Sequence, residues 1–301
     1  MLQPAYLKKG DKIGIIAPAR KISPAETAAA IDCFKSWGLE VIESTNLYSS
    51  DNQFAGTDTK RKHDLLAFVN DPNIKAIACA RGGYGTIRLL DINDALLYRK
   101  NPKWIIGYSD ITALHGFLYR QCNMQSIHGI MPVNVTSANT SKPAVQTLRD
   151  ILFGGKPEYR LKNHNYNKAG TATGRLIGGN LSMLYSMNGT PFYPAPSGNI
   201  LFLEDLDEYL YHIDRMMMTL KMNGTLGAIS GLVVGGMTDM RDNTIPFGED
   251  AETIIHRIMQ TYNIPVAFNF PAGHHENNQA FIHGAEVRLQ VNDADCVLEY
   301  L

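Results

Sequence analysis

Residues 101–120 read Asn-Pro-Lys-Trp-Ile-Ile-Gly-Tyr-Ser-Asp-Ile-Thr-Ala-Leu-His-Gly-Phe-Leu-Tyr-Arg, an apolar strand that runs directly into a helix, with Gly107-Tyr108-Ser109-Asp110 at the bend. A strand-to-helix turn lifts one side chain above the edge of a sheet and aims the first free N–H groups of the helix at whatever binds there. Ser109 therefore reads either as a nucleophile beside an oxyanion site or as a helix N-cap, a position that serine favours. The fifth position of the familiar G-x-S-x-G elbow is Ile111, not glycine, so this segment alone leaves both readings open.

The same strand-then-helix order repeats upstream. Lys12 to Pro18 is a predicted strand, and Ser23-Pro24-Ala25-Glu26 supplies a cap, a first-turn proline and an early acid for a helix that Gly38 stops. Leu39 to Glu43, Ile74 to Ala80 and Trp104 to Tyr108 are further apolar strands, with helices predicted at Thr59 to Asn70 and from Thr86. Two-sided apolar strands alternating with helices indicate an α/β fold, a parallel sheet covered on both faces. Gly154-Gly155-Lys156-Pro157 opens a polar stretch, 154–170, expected to link a first domain (1–153) to a second, smaller α/β domain (171–301). In that second part strands are predicted at Ile200 to Leu203, Leu232 to Gly235 and Val266 to Phe270. A closing hairpin of Val287 to Val291 with Cys296 to Tyr300 follows.

The 301 residues carry 28 basic and 29 acidic side chains, a formal charge of −1, and no basic run longer than Lys60-Arg61-Lys62. That balance argues against a nucleic-acid or anionic-membrane surface and favours a small neutral or zwitterionic ligand. The amino-terminal apolar run is short and follows Lys8-Lys9-Gly10-Asp11-Lys12, so it reads as a first strand and not as a signal peptide. No segment has the ~20 apolar residues of a membrane span. Cys33, Cys79, Cys122 and Cys296 lack C-x-x-C spacing and read as buried free thiols of a reducing compartment.

Three more segments follow apolar strands. Arg81-Gly82-Gly83-Tyr84-Gly85-Thr86 lets backbone approach a ligand closely, yet matches neither G-x-G-x-x-G nor a phosphate loop. Glu204 and Asp205 end an apolar run, where a carboxylate either orients a histidine or caps the next turn. Gly273-His274-His275-Glu276 resembles a metal cluster only superficially. Neighbouring histidines point apart and H-E-x-x-H is absent, so a general base is expected and no metal. Ser109, Glu204 and His274, each at a strand's end, are an economical triad.

The segments Gly10-Asp11-Lys12-Ile13-Gly14-Ile15-Ile16-Ala17-Pro18, Arg81-Gly82-Gly83-Tyr84-Gly85, Gly107-Tyr108-Ser109-Asp110, Gly178-Gly179-Asn180-Leu181, Leu203-Glu204-Asp205 with Ile213-Asp214-Arg215, and Gly273-His274 with Asn278 together resemble the murein LD-carboxypeptidases. These are serine peptidases related to the microcin C self-immunity peptidase. The resemblance implies a flavodoxin- or glutamine-amidotransferase-like first domain and a Ser109–Glu204–His274 triad. It also implies an oxyanion site from the N–H groups of Gly83 and Asp110, and substrate contacts from Arg81, Gly82 and Tyr84. No cofactor or metal is expected. The implied enzyme is a cytoplasmic homodimer of peptidoglycan recycling that cuts an L-to-D bond and frees the terminal D-alanine of a murein tetrapeptide, free or sugar-linked. After Asn278 the family pattern Leu-Pro-x-Gly gives way to Phe281-Ile282-His283-Gly284, which leaves His275 open beside His274, and Glu208 stays open beside Glu204. Two alternatives compete: the same chemistry on a microcin-like aminoacyl nucleotide, and a non-catalytic two-domain binding protein in which Ser109 is only a cap.

Overall fold

The structure is a computed structural model that describes residues 1–90, 94–292 and 294–301. Strands β1 (Lys12–Ile16), β2 (Glu40–Glu43), β3 (Ile74–Cys79), β4 (Trp104–Gly107) and β5 (Ser126–His128) are interleaved with helices α1 (Pro24–Ser36), α2 (Asp58–Asn70), α3 (Ala95–Lys100), α4 (Thr112–Arg120) and α5 (Pro143–Leu152). Then follow β6 (Tyr159–Leu161), β7 (Gly170–Asn180), α6 (Leu181–Met187), β8 (Ile200–Leu206), α7 (Leu210–Met222), α8 (Thr225–Ala228) and β9 (Gly231–Thr238). Helix α9 (Ala251–Met259) and strands β10 (Val266–Ala267), β11 (Phe281–His283), β12 (Glu286–Val291) and β13 (Cys296–Tyr300) complete the chain. Two compact units result. The first comprises Met1–Gly155, Thr190–Tyr193 and Gln279–Gly284; the second comprises Lys156–Gly189, Pro194–Asn278 and Ala285–Leu301.

The first unit holds a six-stranded sheet in the order β11-β5-β4-β3-β1-β2, parallel throughout except for β11, which runs antiparallel to β5. Its central strands are buried on both faces, which is why they read as continuous apolar runs and not as alternating ones. Helix α1 starts as its sequence dictates: Pro24 opens it, and the Ser23 N–H donates to Glu26 Oε2 at 2.9 Å. Because β1, β3 and β4 run parallel, the loops that follow them all emerge at one carboxyl edge, where such sheets bind ligands. These loops hold Arg20, Gly82-Gly83 and Ser109. The expected helix from Thr86 is only a 3₁₀ turn, Thr86–Leu89.

The second unit holds a mixed seven-stranded sheet, β10-β9-β8-β7-β12-β13-β6. Strand β7 serves both halves: Gly170–Arg175 pairs antiparallel with β12, and Leu176–Asn180 pairs parallel with β8. Within the polar stretch 154–170, β6 pairs with β13 and buries Tyr159 and Leu161, so part of it is sheet. Strand β8 runs on to Leu206, past the end of its apolar run, because Glu204 and Asp205 are buried with hydrogen-bond partners. Conversely β10 stops at Ala267, and Asn269 adopts φ +63°. All four cysteines are buried and free. Among the described residues no helix is long and apolar enough to cross a membrane, and no group of three or more His, Cys, Asp or Glu side chains is placed to hold a metal ion.

Candidate active site

Ser109 follows β4 and stands at φ +62°, in the left-handed region that a residue with a Cβ rarely occupies. It begins a 3₁₀ turn, Ser109–Ile111, that leads into α4, whose N-cap is Ile111. Ser109 is therefore not the cap of that helix, and among the described residues its hydroxyl has no hydrogen-bond partner. The place of the missing elbow glycine is taken by Ile111, fully buried, and the close approach falls instead on Gly107, where a Cβ would lie 2.7 Å from Ile111 Cγ1. Beneath the bend, His115 of α4 binds Gly107 O through Nε2 at 2.9 Å and Ser126 Oγ through Nδ1 at 2.8 Å, which pins the end of β4.

The glycine loop lies against this serine. A Cβ on Gly82 would stand 3.1 Å from Ser109 Cβ and 3.3 Å from its Oγ. Gly83 stands at φ +107° and Gly85 at φ +140°, conformations open to glycine and costly for other residues. The N–H groups of Gly83 and Asp110 have no acceptor among the described residues. Two buried side chains hold the loop. The Asp110 carboxylate accepts the Thr86 N–H at 2.8 Å, and Arg61 donates to Gly85 O at 3.0 Å and also to Pro18 O while pairing with Asp58. Burial pushes the Asp110 carboxyl above the usual carboxylate range, against the hydrogen bonds from Thr86 and Gly85 and the charge of Arg61. Asp110 thus has a backbone group free at the bend and a carboxylate that ties the bend to the glycine loop.

In the second unit Glu204 is fully buried, and its Oε2 lies 2.7 Å from Nδ1 of His274. The register between β8 and β9 shifts at Leu203/Asp205, and the carboxylates of Glu204 and Asp205 there are both buried. Asp205 accepts from Asn180 Nδ2 at 2.8 Å and from the Ser182 N–H at 2.9 Å, and so anchors the start of α6; burial, with Glu204 beside it, pushes its carboxyl up to about 7. The His274 loop comes this close because residue 273 is glycine: at φ +119°, a Cβ there would stand 2.9 Å from Glu204 Cβ. The Asn278 side chain fixes the loop by accepting the Gly273 N–H at 3.0 Å. Burial disfavours protonation of His274, but the hydrogen bond and charge of Glu204, with the charge of Asp205, outweigh it and raise the imidazole above its ordinary pKa. A histidine whose Nδ1 faces a carboxylate presents Nε2 as a base.

The alternatives left open by the sequence differ in their partners. His274 faces Glu204, whereas His275 Nδ1 accepts the Asn277 N–H at 3.2 Å, and burial holds His275 below the ordinary range. Glu208 instead faces His212 at 2.6 Å. Arg81 is paired with Glu26 at 3.0 Å, and Tyr84 is exposed, with its ring near Phe54. Burial pushes the Cys33 thiol up to about 11 and those of Cys122 and Cys296 up to about 12, so none is a thiolate near neutrality. Sequence reasoning missed Arg61. It sits in the run Lys60-Arg61-Lys62, which reads as a solvated face, and its backbone acceptors lie 24 and 43 residues away.

Comparison with known proteins follows the same two halves. Residues 13–129 match the LD-carboxypeptidase N-terminal domain and residues 173–289 the LD-carboxypeptidase C-terminal domain. A probable murein peptide carboxypeptidase of Bacillus subtilis is 33% identical over 305 residues, spanning 99% of this chain and 94% of its own length. Among solved structures, a muramoyltetrapeptide carboxypeptidase from Oxalobacter formigenes superposes with a TM-score of 0.88 at 28% identity, over 96% of this chain and 98% of its own. An MccF-like protein from Bacillus anthracis gives 0.85 at 25% identity, over 100% and 99%.

Proposed function

Because the chain belongs to the LD-carboxypeptidase family, a family of serine peptidases, we propose that it cuts the L-to-D peptide bond of a murein tetrapeptide and releases the terminal D-alanine, with Ser109, His274 and Glu204 acting together as its triad. In this reading Ser109 Oγ attacks the carbonyl carbon of the L-centre and its proton passes to His274 Nε2. Glu204, at Nδ1, fixes the tautomer and stabilises the imidazolium. The developing oxyanion accepts from the N–H groups of Gly83 and Asp110, donors worth about 3 kcal/mol each in such sites. His274 then returns the proton to the departing amine, and water hydrolyses the acyl-enzyme by the same route in reverse.

The observation that carries this reading is Ser109 itself: a serine held at φ +62° at a strand's end, its hydroxyl uncommitted, with unengaged N–H groups at Gly83 and Asp110. A mere cap needs none of these features. Setting in the cytoplasm, a role in peptidoglycan recycling and a homodimeric state complete the proposal, on the strength of the sequence resemblance. The test is release of D-alanine from a murein tetrapeptide, read with a stereospecific amino-acid oxidase. Wild-type protein should release it, and S109A should lose at least about 10⁴-fold in kcat. Equal rates for the two folded proteins would refute the assignment.

A further inference from the structure

An enzyme that removes one terminal residue must tell a free α-carboxylate from a continuing chain, and the first unit presents a cation where that test belongs. Arg20 lies in the loop after β1, next along the sheet edge from the glycine loop after β3. Its backbone is fixed on both sides. The Arg20 N–H points to Gly82 O at 3.4 Å, the Lys21 N–H donates to Gln53 O at 3.0 Å, and the Ala55 N–H donates to Ala19 O at 3.1 Å. Its side chain lies across Gly83: a Cβ there would stand 2.4 Å from Arg20 Cδ, 2.7 Å from Cγ and 3.2 Å from Nε. Gly82, one residue away, faces Ser109 at 3.1 Å by the same measure. The dipeptide Gly82-Gly83 is thus flanked by the candidate nucleophile on one side and the Arg20 guanidinium on the other.

The charge on Arg20 is uncommitted. The residue is exposed and forms no ion pair among the described residues, whereas Arg61 and Arg88 pair with Asp58 and Arg81 pairs with Glu26. From the scissile carbonyl carbon to the carboxylate of a single leaving residue is about 3.5 Å, one residue's length. A carbonyl held at Ser109 with its oxygen toward Gly83 therefore brings the terminal carboxylate within reach of a side chain lying over Gly83. A guanidinium suits that ligand, since its fork of N–H donors matches the two carboxylate oxygens.

We infer that Arg20 binds the free α-carboxylate of the residue C-terminal to the scissile bond and so makes the enzyme an exopeptidase, a role that rests on the peptidase reading above. Arg81, by contrast, is paired with Glu26 at 3.0 Å. The test compares a murein tetrapeptide bearing a free D-alanine carboxylate with the same peptide ending in D-alaninamide, in wild type, R20M, R20K and R81M. Methionine keeps most of the aliphatic stem over Gly83 and removes the charge. Wild type should prefer the acid, and R20M should lose about 10- to 100-fold in kcat/KM on the acid, with little change on the amide, so that the preference collapses. R20K should recover part of it, and R81M should keep the preference for the acid. An unchanged preference in R20M, an equal loss on both substrates, or a collapse in R81M instead would overturn the assignment to Arg20. Wild-type protein inactive on both peptides would refute the peptidase reading, and this inference with it.

Discussion

At Ser109, Gly83 and Gly273 the chain adopts backbone conformations with positive φ, and all three lie beside groups proposed to do chemistry. Such positions cost on the order of 1–3 kcal/mol for a residue with a Cβ and persist where surrounding contacts over-determine them. The glycines of Arg81-Gly82-Gly83-Tyr84-Gly85 announce that loop in the sequence; at Ser109 nothing does, because the pattern G-x-S-x-G is incomplete. The pairing of His274 with Glu204 was legible as residue types in a sensible chain order. Their 2.7 Å contact depends on the close approach of Gly273 to Glu204, which the sequence does not display. The pairing also makes a prediction at this scale. A general base must be neutral, and Glu204 raises the pKa of His274, so activity should fall as pH drops through a midpoint above the ordinary value of ~6.5. E204Q removes the charge that favours the imidazolium, which should lower kcat by orders of magnitude and shift the acid limb of the pH–rate profile to lower pH. An acid limb unmoved in E204Q would show that Glu204 does not set the base.

Elements read well where one period or one cap dominates. Helix α1, with its Ser23-Pro24 start and Gly38 stop, and the hairpin of β12 and β13 match their sequence expectations closely. Short strands with polar residues do not, because burial and long-range pairing define them: β11 is three residues long and joins β5, more than 150 positions earlier. That pairing completes a layer of buried histidines, His115 on α4, His128 on β5 and His283 on β11, with His115 and His283 rings 5.4 Å apart. Burial lowers His115 to about 4 and drives His283 well below the ordinary value, with the proximity of His115 adding to it. Both fold as neutral rings, so the unfolded chain takes up protons first as pH falls. Their contribution to stability is then full above ~6.5 and declines between there and about 4, by on the order of 3 kcal/mol for His115 alone. Thermal unfolding followed from pH 7.5 to 5 should show the Tm of wild type falling relative to that of H115Q, a difference in which the opposite effect of the raised Asp205 carboxyl cancels; parallel profiles for the two proteins would contradict the neutral layer.

Across the whole molecule the α/β class, the parallel first sheet and the separate second unit follow from alternating apolar runs and helix signals. A single boundary does not describe the chain, since Thr190–Tyr193 and Gln279–Gly284 belong to the first unit although they lie far along the sequence. Local pattern carries no information about such returns. The proposed triad draws Ser109 from one unit and Glu204 with His274 from the other, so its unity is a claim about the folded chain as a whole. It is tested most directly by treating the intact protein with a fluorophosphonate probe and mapping the adduct by peptide mass spectrometry. Labelling should fall on Ser109, disappear in S109A and slow by orders of magnitude in folded H274A, while a folded, hydrolytically active protein that carries no adduct on Ser109, or labels there as fast without His274, would contradict it.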